Sequence, residues 1–169
     1  LRPSPAPRGD IIYRNDAGDQ ILRVTPDGGM TLYTVKAPNG TPASMTGAAP
    51  SLTPPSISPA QLLNHAIQQS GRLSAAVGHL IYFDFDLEQT GNEAVVAETV
   101  SVVTDAVLRL ARTTQTQPDA HRIRVVNIVE GQRPAVTFSG GSLTVVSDPR
   151  LGALGRPSSA RIIRAIRGD

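Results

Sequence analysis

The hydrophobic positions of this chain follow two rhythms. Between Ile11 and Thr34 apolar residues come in three short runs divided by turn residues, and the runs read as strands. Asp16-Ala17-Gly18 suits a three-residue hairpin loop with Gly18 in the left-handed position. Pro26-Asp27-Gly28 makes a second turn, in which proline sets φ and glycine follows. A three-stranded β-meander over 9–35 is the expectation. From Pro59 the rhythm becomes helical. Leu62, Leu63, Ala66, Ile67, Ser70, Leu73, Val77 and Leu80 form one stripe, and His65, Gln68, Gln69, Arg72 and His79 fall outside it. Ser58 can cap this helix, Pro59 suits its first position, and it should end near Gly78. A second helix opens at the capping-box spacing Thr90-Gly91-Asn92-Glu93 and lines one face with Val96, Thr99, Val100, Val103, Val107 and Leu110. Glu98, Ser101, Asp105, Arg109 and Arg112 take the opposite face, with Asp105 and Arg109 a supporting pair.

Strands follow at about 123–129, 134–138 and 142–146. The last two predict a hairpin around Gly140-Gly141, which sets Phe138 opposite Leu143, Val136 opposite Val145, and Thr137 opposite Thr144. The fold class expected is therefore α+β: an antiparallel sheet with two amphipathic helices packed on one face, preceded by the meander. Around these elements lie a loose Pro-rich start (1–8), a Pro-rich linker or strap (36–58), the α+β core (59–147) and a basic tail (148–169). In the strap, Pro38, Pro42, Pro50, Pro54 and Pro55 remove backbone donors, so neither a helix nor a central strand is expected. Asn39-Gly40-Thr41 matches an N-glycosylation acceptor, but Asn-Gly is also an ordinary turn pair, and the turn is the expectation.

Composition changes this picture in three places. At 169 residues the chain can bury a core without a metal or disulfide, and with no Cys there is no thiolate zinc site and no cysteine nucleophile. The sequence pI of about 9.5 overstates the basicity, because the net charge is only +2. Lys36 is the one lysine among sixteen basic residues, and arginine keeps its charge at any accessible pH. The positive charge belongs to the tail: from Pro149 onward Arg150, Arg156, Arg161, Arg164 and Arg167 stand against Asp169 alone. No apolar run reaches the ~18 residues that cross a bilayer, so a soluble domain is expected. The sequence begins at Leu1 without Met, which fits a processed envelope protein as well as a trimmed chain.

Candidate chemistry is sparse. In Tyr82-Phe83-Asp84-Phe85-Asp86-Leu87-Glu88 a strand would project Asp84, Asp86 and Glu88 from one face, with adjacent acids about 7 Å apart, near enough to grip one hard cation. The plainer reading is the solvated side of a sheet. His65 and His79 stand roughly 21 Å apart along the first helix and cannot share a ligand, and His121 sits in a polar loop, so surface histidines are expected. No nucleophile elbow, P-loop or dinucleotide fingerprint occurs, and no cofactor is implied. In the tail, Ser158 or Ser159 could cap a short helix carrying Arg161 and Arg164 on one face. With Arg156, these would meet an anion, an RNA, an acidic protein or an anionic surface. The alternative is a closing element whose isoleucines fill the core.

Three stretches, PRGDIIYRNDAGDQILRVTPDGGMTLYT, EGQRPAV and GRPSSARI, together resemble a bacterial family catalogued as domain of unknown function 4908. The resemblance spans Pro7 to Ile163, is weakest in the Pro-rich middle, and implies a bacterial, exported protein with no catalytic residue to carry over. The leading expectation is a non-enzymatic binding or structural module of the bacterial cell envelope, periplasmic or secreted. The alternatives are a metal-assisted hydrolytic enzyme built on Asp84, Asp86 and Glu88, and anion or nucleic-acid binding by the arginine tail.

Overall fold

Each strand of the N-terminal region pairs with its neighbour in sequence, giving an antiparallel sheet of order β1-β2-β3-β4-β5. The strands are β1 (Arg2–Pro5), β2 (Ile11–Arg14), β3 (Gln20–Val24), β4 (Met30–Thr34) and β5 (Ala37–Ala43). The computed structural model describes residues 1–48, 56–85 and 91–169. It divides into two units, Leu1–Leu52 and Thr53–Asp169, each described by itself below. In the first, Gly18 and Gly28 take positive φ in their turns, at 91° and 81°, as expected. Two further strands were not expected. The Pro-rich start forms β1, and part of the Pro-rich strap forms β5. Both are edge strands, with Pro3 and Pro5 two positions apart in one and Pro38 and Pro42 four apart in the other. Prolines at such spacing share one side of the ladder, so their missing N–H groups can all face away from the neighbouring strand. Asn39-Gly40 lies within β5 rather than in a turn. Gly40, at φ +89°, packs so closely on Thr31 and the Tyr33 ring that a side chain has no room, and the β4–β5 register shifts between Leu32 and Thr34.

One face of this sheet carries Tyr13, Leu22 and Leu32 in register, beside Ile11, Val24, Met30 and Ala43. Among the described residues of this unit the one buried residue is instead Asp10, on the other face, which accepts from Arg23 Nε at 2.7 Å. The Arg23 guanidinium, bonded to that carboxylate, is held above its ordinary pKa.

The second unit stacks helices on one side of a four-stranded sheet of order β6-β7-β9-β8. Its elements are α1 (Pro59–Val77), β6 (Tyr82–Phe85), α2 (Glu93–Ala111), the single turn α3 (Gln117–Ala120), β7 (Val125–Glu130), β8 (Ala135–Ser139), β9 (Ser142–Ser147), a 3-10 turn over Pro149–Gly155, and α4 (Ser159–Arg167). The α+β class holds, but the sheet bearing the helices is mixed where an antiparallel one was expected. β6 runs parallel to β7 and β7 parallel to β9, and only β8 is antiparallel to its neighbour. The reason is the connection. The chain returns from β6 through α2, which carries it back to the starting end before β7 begins. The β8–β9 hairpin has the expected register, with Phe138 opposite Leu143 and Val136 opposite Val145.

Ser58 and Gln61 form a reciprocal capping box on α1, and Gly78 ends the helix at φ 75°. The buried arc is narrower than the sequence stripe: Leu62, Ala66, Leu73 and Val77 are buried, whereas Leu63, Ile67 and Leu80 are exposed. Gln69, expected outside, is buried and accepts from Arg72. On α2 all six expected face residues are buried, and Val102, Thr104 and Ala106 join them, because α1, α4 and the sheet all pack on this helix. Its expected cap Thr90 lies outside the described residues. Asn92 occupies the N-cap, and the Glu93 carboxylate accepts from the Gly91 amide. α4 closes the core with Ile162 and Ile166, and Ser158 caps it.

Candidate functional site

The parallel register assembles a polar row from four separate strands. Asp84, Asn127, Thr144 and Thr137 are mutual partners across β6, β7, β9 and β8. They lie on the face opposite the buried Val126, Ile128, Leu143 and Val145, so they point away from the helices. Asn127 Nδ2 donates to Ser142 Oγ at 2.7 Å, which fixes the amide in the row.

At the carboxyl ends of the parallel strands, against the first turn of α2, this row opens into a cleft of about 510 Å³. Its lining takes Asp84, Asn127 and Thr144 from the outer face of the sheet, Phe85, Ile128, Glu130 and Ser147 from the helix-facing set, and Val95 and Val96 from α2. Parallel strands joined by a crossover helix leave such a hollow because the connection departs upward from one strand end before descending. A second hollow of about 520 Å³ shares Glu130 and Pro149 with the first and continues to Asn92, Gln132, Asp148 and Arg150.

Hydrogen bonds within the walls hold these groups. Asn92 Nδ2 donates to Glu130 at 2.8 Å, and Ser147 Oγ lies 3.1 Å from Thr99 Oγ1 in the buried floor. Asp148, 2 % exposed, caps the 3-10 turn by accepting from the Arg150 amide at 3.1 Å. Arg150 also returns its guanidinium to the same carboxylate through Nε and Nη2. That side-chain bond from Arg150 holds the Asp148 carboxyl below its ordinary range, against the opposing effect of burial. Reciprocally, Asp148 raises the Arg150 guanidinium.

Of the expected acids, Asp84 is exposed and lines the cleft, while Asp86 and Glu88 lie outside the described residues. Among the described residues no three His, Asp or Glu side chains gather as a metal site. The tail arginines separate. Arg156 is half-buried and its Nε donates to Glu98 at 3.1 Å, whereas Arg161 and Arg164 are exposed on α4. Arg109, expected beside Asp105, donates to Ser159 Oγ at 3.1 Å. Of the histidines expected at the surface, His121 is exposed and His65 and His79 are half-buried. His65 Nε2 lies 2.9 Å from Ser101 Oγ, and His79 meets His121 edge-on with ring centroids 6.1 Å apart.

Asn127, Glu130, Asp148 and Arg150 carried no motif to mark them as a site. One local signal was legible: Asp148-Pro149 after a strand is the cap-then-proline start of a helical turn.

The model of the family Domain of unknown function (DUF4908) matches residues 1–166. No curated protein and no solved structure matches the chain. Among the described residues no helix is long and apolar enough to cross a membrane.

Proposed function

The chain belongs to the DUF4908 family, and we propose for it a non-enzymatic role as a ligand-binding module of the bacterial cell envelope. The observation that carries this reading is the cleft of about 510 Å³ at the carboxyl ends of β6, β7 and β9, lined by both apolar and polar residues. Two of those polar groups are held in place by their neighbours, Asn127 by Ser142 and Glu130 by Asn92. Such a wall is preorganised for recognition, so a ligand need not order it on binding. The envelope part of the reading rests on the Pro-rich composition of residues 36–58 and on the exported character that the family resemblance implies.

The test is a fragment screen on the full ¹⁵N-labelled chain. Binders should shift the amides of Asp84, Asn127, Val129 and Thr144 together, and Thr144→Trp, which fills the cleft, should abolish those shifts. A screen whose hits leave these four amides unmoved removes the reading. Fractionation of the source bacterium checks the compartment, and recovery of the native protein in the cytoplasmic fraction alone would overturn the envelope assignment.

A further inference from the structure

The described residues of the first unit supply a single layer, five strands and the 3-10 turn Pro7–Gly9. That layer is sharply two-sided. Two apolar rows, Tyr13-Leu22-Leu32 and Ile11-Val24-Met30, cross β2, β3 and β4 in register on one face. The strand arginines Arg2, Arg14 and Arg23 lie on the other face with Asp10, and no described strand residue on the apolar face is charged. None of the six apolar residues is buried, and Ile11 is 40 % exposed. A sheet face of this kind is stable in water only against a second layer, and contiguous apolar surface of such extent marks a contact.

We propose that this face packs on the same face of a second copy of the chain, closing a two-layer β-sandwich across a two-fold axis. Three observations select this occupant. The face holds no charge to desolvate when it meets its own copy, and none that would choose an acidic or a basic partner. β3 is the middle strand of five, so in an aligned sandwich either in-plane two-fold axis sets β3 against β3. Leu22 then meets Leu22 or Val24 of the second copy, and apolar rows cover apolar rows. Finally, residues 1–48 carry five basic side chains (Arg2, Arg8, Arg14, Arg23, Lys36) against four acidic ones (Asp10, Asp16, Asp19, Asp27), so the unit has little net pull on an anionic membrane. Five short strands spaced about 4.8 Å apart remove on the order of 1,000 Å² from water over the two copies. That is the lower end of specific interfaces, so the dimer is reversible and its population depends on concentration.

The experiment is sedimentation velocity on the full chain from low to high micromolar concentration, where the dimer fraction should rise. Leu22→Asp and Leu22→Lys should each weaken dimerisation by about a hundredfold or more, because like charges meet in an apolar layer. Mixing the two variants should restore a dimer, which neither lipid nor a foreign protein on this face would produce. Arg14→Ala, on the opposite face, should leave the dimer unchanged. If the Leu22 variants fail to fold, intermolecular NOEs in wild-type protein of mixed isotope labelling decide, and the Leu22, Val24 and Leu32 methyls should contact the second copy. A chain that stays monomeric at high micromolar concentration overturns the proposal. So do folded Leu22 variants that dimerise as the wild type does, a mixture that stays monomeric, or a dimer without those NOEs. A monomer that co-sediments with phosphatidylcholine vesicles also overturns it, in favour of a lipid surface.

Discussion

Arg150 donates through Nε and Nη2 to the two oxygens of Asp148, at 2.9 and 2.7 Å, although the arginine is largely exposed and the aspartate side chain is 2 % exposed. An ion pair between exposed groups contributes little, but here one partner has left water and depends on the other. The folded-state pKa of Asp148 is depressed below its ordinary value of 3.8. Its stabilisation is therefore present above the unfolded pKa and is lost as pH falls through the folded one. Asp148→Asn should lower the Tm at pH 7, and the gap to wild type should close as melts are taken from pH 5 down to pH 2.5. A gap that is constant across that range would contradict the linkage.

Two glycines of similar sequence appearance should respond oppositely to alanine. Gly155 leaves no room for a Cβ, which would overlap the carbonyl group of Asp148. Gly155→Ala must displace the 3-10 turn, so loss of the folded protein, or a Tm lowered by many degrees, is expected. Gly71 sits in mid-α1 with open space around it. Gly71→Ala should stabilise by about 0.5–1 kcal/mol, as read from urea unfolding.

The narrow buried arc of α1 predicts a contrast between neighbours in the same apolar stripe. Leu73 is fully buried, and Leu73→Ala should cost about 2–5 kcal/mol. Ile67 is 60 % exposed, and Ile67→Ala should change stability by no more than about 0.5 kcal/mol. Denaturant midpoints for the pair would separate this arrangement from one in which the whole stripe is buried.

The tail is structural on its isoleucine side, whatever its arginines meet. Ile162→Ala should cost about 2–5 kcal/mol, while Arg161→Ala/Arg164→Ala should fold with almost wild-type stability. Removing residues 156–169 should unfold the second unit, which makes the double arginine variant the usable probe of polyanion retention. Retention on a polyanion that survives in the folded double variant would assign it elsewhere.

Legibility followed locality. The β8–β9 register was readable because Gly140-Gly141 leaves a two-residue loop with little freedom, and Ser58-Pro59 announced α1 within two positions. β1 and β5 were not, because proline is excluded from a ladder only where its N–H would be needed, and edge position is not written in a single strand. Gln69 was misplaced because the width of a buried arc is set by what packs on the helix. The cleft was the least legible part. Asp84, Asn127, Glu130 and Asp148 come from β6, from β7 twice and from the start of the turn after β9, and only the parallel order of these three strands brings them to one end of the sheet. The sequence showed the acid at Asp84 but grouped it with Asp86 and Glu88 along one strand, whereas its described partners lie across the sheet.

The parallel ladder between β6 and β7 also sets an order of events. In the first unit each ladder closes over a turn of a few residues, so its hairpins can zip as soon as both strands exist. Tyr82, by contrast, must wait for Val125, with all of α2 in between, and the loop-closure cost is met before any rung of that ladder forms. Until then Tyr82–Phe85 is an unpaired aromatic strand, open to association with other nascent chains. Asp84, set between Phe83 and Phe85, places a charge at the middle of that segment, and a charge there opposes such association.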